Sequence, residues 1–208
     1  MRAALPMALA GGLLAGCVTT PPPPLQVDLT GRACAASADL RAPSVLVYSD
    51  KEQSFDVAFT AADPCVQTAQ GPALYHVFQL PGPTPEMTFR IGSAPVGFGL
   101  FPIRVQLLDG KGAIKRDFSG DALTFRGNQL TALFRAHPDE FYMVVEGDPG
   151  ILGHTVARTQ ETTQVSGAAA GRVYFTIHTG NDSTATYTFT QAGTVTVFLA
   201  PTTPPKKE

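Results

Sequence analysis

Residues 184–199, TATYTFTQAGTVTVFL, decide the fold class of this chain. Threonine alternates with an apolar or aromatic residue through both halves, as at Tyr187 and Phe189 and again at Val195 and Val197. Side chains two positions apart in a strand point to the same face of a sheet. Each half therefore predicts one β-strand with an apolar face, and the Gln-Ala-Gly between them predicts a turn.

The same pattern extends outward along the chain as short runs rich in β-branched and aromatic residues, broken by Gly, Pro, Asp and Asn. Eleven runs predict strands: 44–49, 54–60, 74–80, 87–91, 101–108, 122–125, 130–135, 141–146, 173–178, 184–190 and 194–199. Such a series predicts an all-β fold, an antiparallel β-sandwich of jelly-roll or Greek-key type. Residues 151–165 fit either a helix or a strand, and the Gly/Ala-rich stretch leaves room for a sub-domain boundary near 166–171.

The N-terminus carries a targeting segment. Arg2 precedes an apolar run of about ten residues, 5–14, which suits a signal peptide and is too short to span a bilayer as a helix. The run ends in residues 14–17, LAGC, which resemble the lipobox of bacterial lipoprotein signal peptides. The resemblance implies removal of residues 1–16 and attachment of acyl chains such as palmitate to Cys17. The alternative is an ordinary secretory signal with a chance cysteine.

A proline-rich tether follows the lipidated cysteine. Residues 21–24 are four prolines, which favour an extended polyproline II segment. We expect residues 17–29 to form the lipidated cysteine and tether, 30–200 the sandwich domain, and 201–208 a disordered tail. Val18 stands where an aspartate would retain an enterobacterial lipoprotein at the inner membrane. That sorting rule implies the periplasmic face of the outer membrane.

The cysteines and the net charge are consistent with the predicted location in the cell envelope. Cys34 and Cys65 remain after Cys17 is used for the lipid, and outside the cytoplasm such a pair predicts a disulfide. A metal site is the weaker alternative, because no histidine lies near either cysteine at ligand spacing. The formal net charge is -2 and the basic residues are scattered, which argues against a nucleic-acid partner.

The search for catalytic groups finds no motif. His76 and His178 fall in predicted strands, where a hydrogen-bonded sheet residue is the expected role. Residues 137–140, HPDE, predict a turn, and residues 109–112, DGKG, a hairpin turn rather than a calcium loop. No Gly-x-Ser-x-Gly elbow is present in the sequence. We therefore expect a protein that is not an enzyme and has no cofactor or metal.

A series of segments carries a family resemblance: YHVFQLP at 75–81, TFRI at 88–91, FP at 101–102, VQLLD at 105–109, the strand at 130–135 and YMVV at 142–145. In this order residues 65–165 resemble the β-rich part of the maltose operon periplasmic protein family. The resemblance implies a non-catalytic envelope protein accessory to carbohydrate uptake, and it transfers no ligand-binding residue. This chain departs from the family at its C-terminus, where it has further strands instead of a helical extension.

The sequence thus predicts a lipid-anchored binding or accessory module whose partner is a glycan or another envelope protein. The absence of tryptophan is an objection to a sugar ligand, since sugar rings commonly stack on aromatic faces. Two alternatives stay open. One is a pilotin-like assembly or secretion helper that recruits a partner through exposed edge strands, and the other is an inhibitor of envelope hydrolases.

Overall fold

The computed structural model describes residues 27–82, 86–170 and 173–202. Within these ranges the chain forms fourteen β-strands and two short 3-10 helices, Gly120–Ala122 and Pro149–Ile151. The predicted all-β class is confirmed. The predicted signal peptide, Cys17 and the prolines at 21–24 lie outside the described residues. No helix in the described ranges is long and apolar enough to cross a membrane.

The strands, in chain order, are β1 Ser44–Val45, β2 Gln53–Phe59, β3 Cys65–Thr68, β4 Gly71–Gln79, β5 Met87–Ala94, β6 Gly99–Leu100, β7 Ile103–Leu108, β8 Ile114–Phe118, β9 Thr124–Arg126, β10 Gln129–Arg135, β11 Tyr142–Gly147, β12 Thr155–Ala170, β13 Val173–Phe189 and β14 Gly193–Pro201.

Two sheets make up a sandwich. The six-stranded sheet has the order β1-β4-β11-β7-β8, with β3 also paired to β4. The five-stranded sheet has the order β2-β14-β5-β10-β9. All these strand pairs are antiparallel except β1 with β4. Strands distant in sequence are therefore neighbours, as a Greek-key type of connection requires.

The core lies between the two sheets and follows the alternation of the sequence. Val195, Val197 and Leu199 of β14 are fully buried, while the residues between them are half-buried. The inward side chains of the opposite sheet join the same core: Leu74, Phe78, Val105, Leu107, Met143 and Val145. Burying each such aliphatic or aromatic side chain stabilises the fold by about 1.5–3 kcal/mol.

The folded part is longer at both ends than the sequence predicts. Val27 and Leu29 are buried in the core, so the predicted tether ends earlier than residue 29. At the other end β14 continues through Pro201, and the backbone N–H of Thr202 donates to the carbonyl of Glu86 at 3.0 Å. Burial of Val27 and Leu29 accounts for the difference at the N-terminal end, and the pairing of Pro201 with Met87 accounts for the one at the C-terminal end.

A strap, residues 34–40, crosses the outer face of the six-stranded sheet. Its Ala35 forms a parallel bridge with Val66, and the N–H of Asp39 donates to the Tyr75 hydroxyl at 3.0 Å. Strap residues Ala38 and Leu40 pack on a second apolar cluster on this outer face. The strap therefore covers part of this outer face, above β4 and β11, which accounts for the near-continuous apolar sequences of these two strands.

Strands β12 and β13 form a long two-stranded hairpin, which we call the arm. Their register runs unbroken from Thr155 opposite Thr188 to Ala170 opposite Val173. At about 3.3 Å per residue, sixteen residues give an arm about 50 Å long. Among the described strands, β6 alone joins this hairpin, at Thr188 and Phe189.

The arm corrects the strand predictions for this region. Runs 173–178 and 184–190 were expected to be separate strands, but they belong to the single strand β13, and residues 155–165 are strand rather than helix. The Gly-Asn-Asp at 180–182 predicts a break, yet these residues pair with Glu161, Thr162 and Thr163 of β12. The unbroken ladder outweighs the local turn preference. Residues 166–170, where a sub-domain boundary was considered, continue β12.

Candidate functional site

The structure brings the predicted cysteine pair together. Cys34 and Cys65 form a disulfide with their Cα atoms 4.8 Å apart, so the predicted bridge is confirmed. It fixes the strap to the start of β3, where the N–H of Ala35 also donates to the carbonyl of Cys65 at 3.0 Å. The third predicted site residue, Cys17, lies outside the described residues.

The structure places His76 and the two predicted turns as the sequence indicates. His76 lies in β4, with its Nε2 3.2 Å from Asp63 Oδ1 and 3.3 Å from the Ala58 carbonyl oxygen. His178 lies in β13. Residues 109–112 form the β7–β8 hairpin turn, in which Asp109 Oδ1 accepts from the N–H groups of Lys111 and Ala113 at 2.8 and 2.9 Å.

The strap edge, the β3–β4 turn and the β7–β8 turn surround a groove of about 540 Å³ on the outer face of the six-stranded sheet. Its floor consists of alternate residues of β7 and β11: Arg104, Gln106, Leu108, Val144 and Glu146. Its walls include Ser37, Leu40, Thr68, Gln70 and Lys111. The lining, all within the described residues, mixes amide, hydroxyl and charged groups with aliphatic side chains and contains no aromatic ring.

Strand register explains why the polar floor residues meet. Arg104 lies directly opposite Glu146 in the β7–β11 pair, and Gln106 lies opposite Asp117 in the β7–β8 pair. Arg104 and Gln106 are two positions apart, so their side chains share one face of the sheet. Three adjacent strands thus each contribute a polar residue to one patch, which we call the charged cluster: Arg104, Gln106, Asp117 and Glu146.

Hydrogen bonds tie the charged cluster together. Arg104 Nε donates to Asp117 Oδ2 at 2.8 Å, and Gln106 Nε2 donates to the same oxygen at 3.2 Å. The other side of the guanidinium reaches Glu146, with 3.4 Å between Arg104 Nη1 and Glu146 Oε1. One guanidinium therefore serves two carboxyl groups, and Asp117 receives the shorter contacts.

Glu146 is consequently a weakly compensated carboxyl group. It is 4% exposed, and burial raises its pKa to about 7 despite the charge of Arg104. The negative charges of Asp117 and Asp148 act in the same direction as burial. Near neutral pH the group is about half protonated, so it can donate a hydrogen bond as well as accept one.

A second buried carboxylate, Glu140, lies outside the groove and is strongly bound. Its two oxygens accept from Arg116 Nε at 2.6 Å and Nη2 at 2.7 Å, and its Oε2 also accepts from the N–H of His137 at 2.7 Å. Burial acts to raise the pKa of Glu140, but the hydrogen bonds and charge of Arg116 outweigh it and lower the pKa. These bonds hold the turn at residues 137–140 that the sequence predicts.

The sequence patterns do not single out Arg104, Asp117 or Glu146. A signal was present in the strand sequences. IRVQLL at 103–108 and YMVVEG at 142–147 carry polar residues inside runs that are otherwise almost wholly apolar. Polar residues within strands covered on both faces need partners. Which strands are neighbours, however, is not readable from these runs.

No model of a protein family matches the chain, and no curated protein is similar enough to count as a match. The resemblance of residues 65–165 to the maltose operon periplasmic protein family and the lipobox resemblance at Cys17 therefore stay predictions.

Proposed function

We propose that this chain is a bacterial lipoprotein held through lipidated Cys17 at the periplasmic face of the outer membrane, where it acts as a non-catalytic binding module. The lipobox-like residues 14–17 and the prolines at 21–24 support the anchor and tether. The Cys34–Cys65 disulfide is consistent with an oxidising compartment.

The observation that carries the binding role is the groove above the charged cluster. Gln70 and Gln106 each present an amide that both donates and accepts hydrogen bonds, and Glu146 can do the same near neutral pH. Leu108 and Val144 provide an aliphatic floor between them. Alternating hydroxyl groups and C–H surfaces are the chemistry of a glycan, so we propose a polysaccharide or oligosaccharide of the envelope as ligand.

The resemblance to the maltose operon periplasmic protein family points in the same direction, since it implies a role accessory to carbohydrate uptake. The lack of an aromatic ring in the groove means that hydrogen bonds, rather than ring stacking, would provide most of the specificity.

The test is to screen the full chain against a glycan array and titrate the best ligand by calorimetry. Gln70→Ala and Gln106→Ala should each raise the dissociation constant about fivefold to tenfold, the effect of about 1 kcal/mol for one lost hydrogen bond. Asp139→Asn is the matched control, because Asp139 pairs with Lys115 at 2.8 Å outside the groove. Failure of all glycans to bind would refute this ligand class. A glycan that binds the three variants equally would refute the groove as its site.

A second candidate function is that of an assembly or secretion helper, and the arm favours it. Its strands carry backbone groups along edges that pair with no further described strand beyond the base, and such edges can recruit an extended segment of another protein. Deletion of the gene should then deplete specific outer-membrane proteins from the envelope proteome. An unchanged proteome would contradict the helper role and leave the glycan proposal untouched.

A further inference from the structure

The sequence of the arm carries few of the devices that usually protect an exposed strand edge, and the charged residues of its two strands are Arg158, Glu161 and Asp182. Lys and Pro are absent from both strands, and no bulge interrupts the sixteen register pairs. Natural edge strands are normally blunted by Lys, Pro, bulges or a covering segment. An isolated two-stranded hairpin is also only marginally stable in water. A hairpin about 50 Å long with such edges is better explained as half of a larger sheet.

Each strand of the arm has one outer edge that could accept a partner strand, and the stretch of that edge available for pairing is longer on β13 than on β12. Strand β6 pairs with it at Thr188 and Phe189 and so marks one end of the available stretch, 173–187. On β12, by contrast, Arg158 turns toward the β9–β10 turn, where its Nη2 donates to the Gly127 carbonyl at 3.1 Å and its guanidinium lies 5.3 Å from the Phe125 ring centroid.

We propose that two copies of this chain pair through β13, antiparallel and related by a twofold axis at Gly180. In this register residue 173 of one copy lies opposite residue 187 of the other, so the whole stretch up to β6 is used. This interaction surface goes beyond the proposed binding function and does not involve the groove.

Charge supports this register. Apart from its two tyrosines, the stretch 173–187 contains two ionisable residues, His178 and Asp182, placed symmetrically about Gly180. Twofold pairing at Gly180 places His178 of each copy opposite Asp182 of the other, so the two aspartates lie apart from each other. A register centred on Asp182 would instead place two aspartates together, which is unfavourable.

Exposed apolar residues at the two ends of the arm independently support antiparallel pairing of two copies. Tyr174, near the tip, is 71% exposed, and Val96 and Phe98, near the base, are 52% and 48% exposed. Phe98 adjoins the base because its carbonyl accepts from the N–H of Thr188 at 2.8 Å. Antiparallel pairing brings the tip of each copy to the base of the other, so the proposed dimer places these exposed apolar residues near one another.

Site-directed cross-linking of the full chain tests the register. Gly180→Cys places two thiols across the axis, within the Cα separation that a disulfide requires. An added side chain at this position meets nothing within 4 Å, so the substitution should be tolerated. Under mild oxidation we expect most of this variant to run at twice the monomer mass on a non-reducing gel, and the unsubstituted chain to give the background.

Asp182→Cys is the matched control on the same edge. Two residues 182 would lie about 13 Å apart along the strands, beyond the reach of a disulfide. His178→Cys alone should likewise fail, whereas a mixture of His178→Cys and Asp182→Cys copies should cross-link. Equal cross-linking of the Gly180→Cys and Asp182→Cys variants, or no dimer in any variant and a monomer in sedimentation experiments, would overturn the proposal. Glycan binding measured on the same samples reports separately on the groove.

Discussion

At the scale of single residues, the number of hydrogen-bond donors around a buried carboxyl group decides whether its pKa is raised or lowered. Glu146 and Glu140 are 4% and 5% exposed. Glu140 accepts from both arms of Arg116 and from a backbone N–H, and its pKa is lowered. Glu146 has a single contact at 3.4 Å with an arginine that is also bonded to Asp117, and its pKa is raised to about 7. In the sequence, Glu140 and Glu146 each lie next to a turn, and nothing there indicates that their pKa values differ.

Glu146 should make the stability of the protein fall as the pH rises from about 4.5 to about 7. Its pKa in the folded state is above the unfolded value of 4.5, so the folded state holds more protons in this window and loses stability as they leave. The loss is on the order of 3 kcal/mol. Urea unfolding at pH 4.5 and pH 8 measures this loss. The free energy of unfolding of the wild type should fall between the two pH values, and that of Glu146→Gln should lack this part of the fall.

Asp139→Asn is the control for that titration, because Asp139 lies at the surface and its pKa is lowered by the side chain of Lys115. Its stability profile above pH 5 should run parallel to that of the wild type. If the stability profile of Glu146→Gln also ran parallel to that of the wild type, this would contradict the claim that burial raises the pKa of Glu146.

The Arg116–Glu140 pair should be important for stability. Glu140→Gln leaves Arg116 with the Arg135 carbonyl and the nearby Phe118 and Phe134 rings as its remaining contacts. Removing one partner of a fully buried ion pair typically costs about 3–5 kcal/mol, but the Arg116 side chain is 29% exposed, so about 1–3 kcal/mol is expected here. We expect a loss of that order in urea unfolding. In the Asp139→Asn variant, which breaks the neighbouring exposed pair with Lys115, stability should be nearly unchanged. Equal effects of the two substitutions would disprove the distinction.

At the scale of elements, the sequence predicts strands whose alternation is strong and misses those that depend on tertiary pairing. The run 194–199 was predicted to within two residues at either end, because Val195, Val197 and Leu199 reveal the buried face. The short strands β3, β6 and β8 were missed, since two to five residues carry too little periodicity. Strand β13 was predicted as two strands because residues 180–182 favour a turn, but pairing with β12 keeps them in one strand.

The charged cluster could not be predicted for a related reason. Arg104, Asp117 and Glu146 lie on three strands, and the order β11-β7-β8 that makes them neighbours is a property of the assembled sheet. The disulfide was predictable, in contrast, because the two cysteines of the sandwich domain allow a single pairing.

The strap depends on that disulfide. Cys34 and Cys65 close a loop with a sequence separation of 31, and the bond restricts the unfolded chain. Replacing both cysteines by serine should lower the free energy of unfolding by about 3–4 kcal/mol in the loop-entropy model. Urea unfolding of the double variant measures this loss. The same loss should appear in the wild type after reduction, and an unchanged unfolding midpoint in both cases would show that the strap is held by packing alone.

At the scale of the whole molecule, the N-terminal address, the groove and the arm fit one arrangement. Val27 is buried in the core, and the proposed tether with its prolines at 21–24 precedes it in the sequence. Such a tether would hold the sandwich away from the bilayer while the groove and the arm remain accessible. Two or more acyl chains are needed for stable attachment, because one gives only marginal binding.

Intact-mass spectrometry of the protein purified in detergent from bacterial envelopes tests this arrangement most directly. The account predicts a chain that lacks residues 1–16 and carries the added mass of diacylglyceryl and acyl groups on Cys17. Cys17→Ser should abolish both the cleavage and the added mass. A mature protein without acyl chains, or one cleaved elsewhere with Cys17 unmodified, would contradict the proposal that this protein is anchored by lipid.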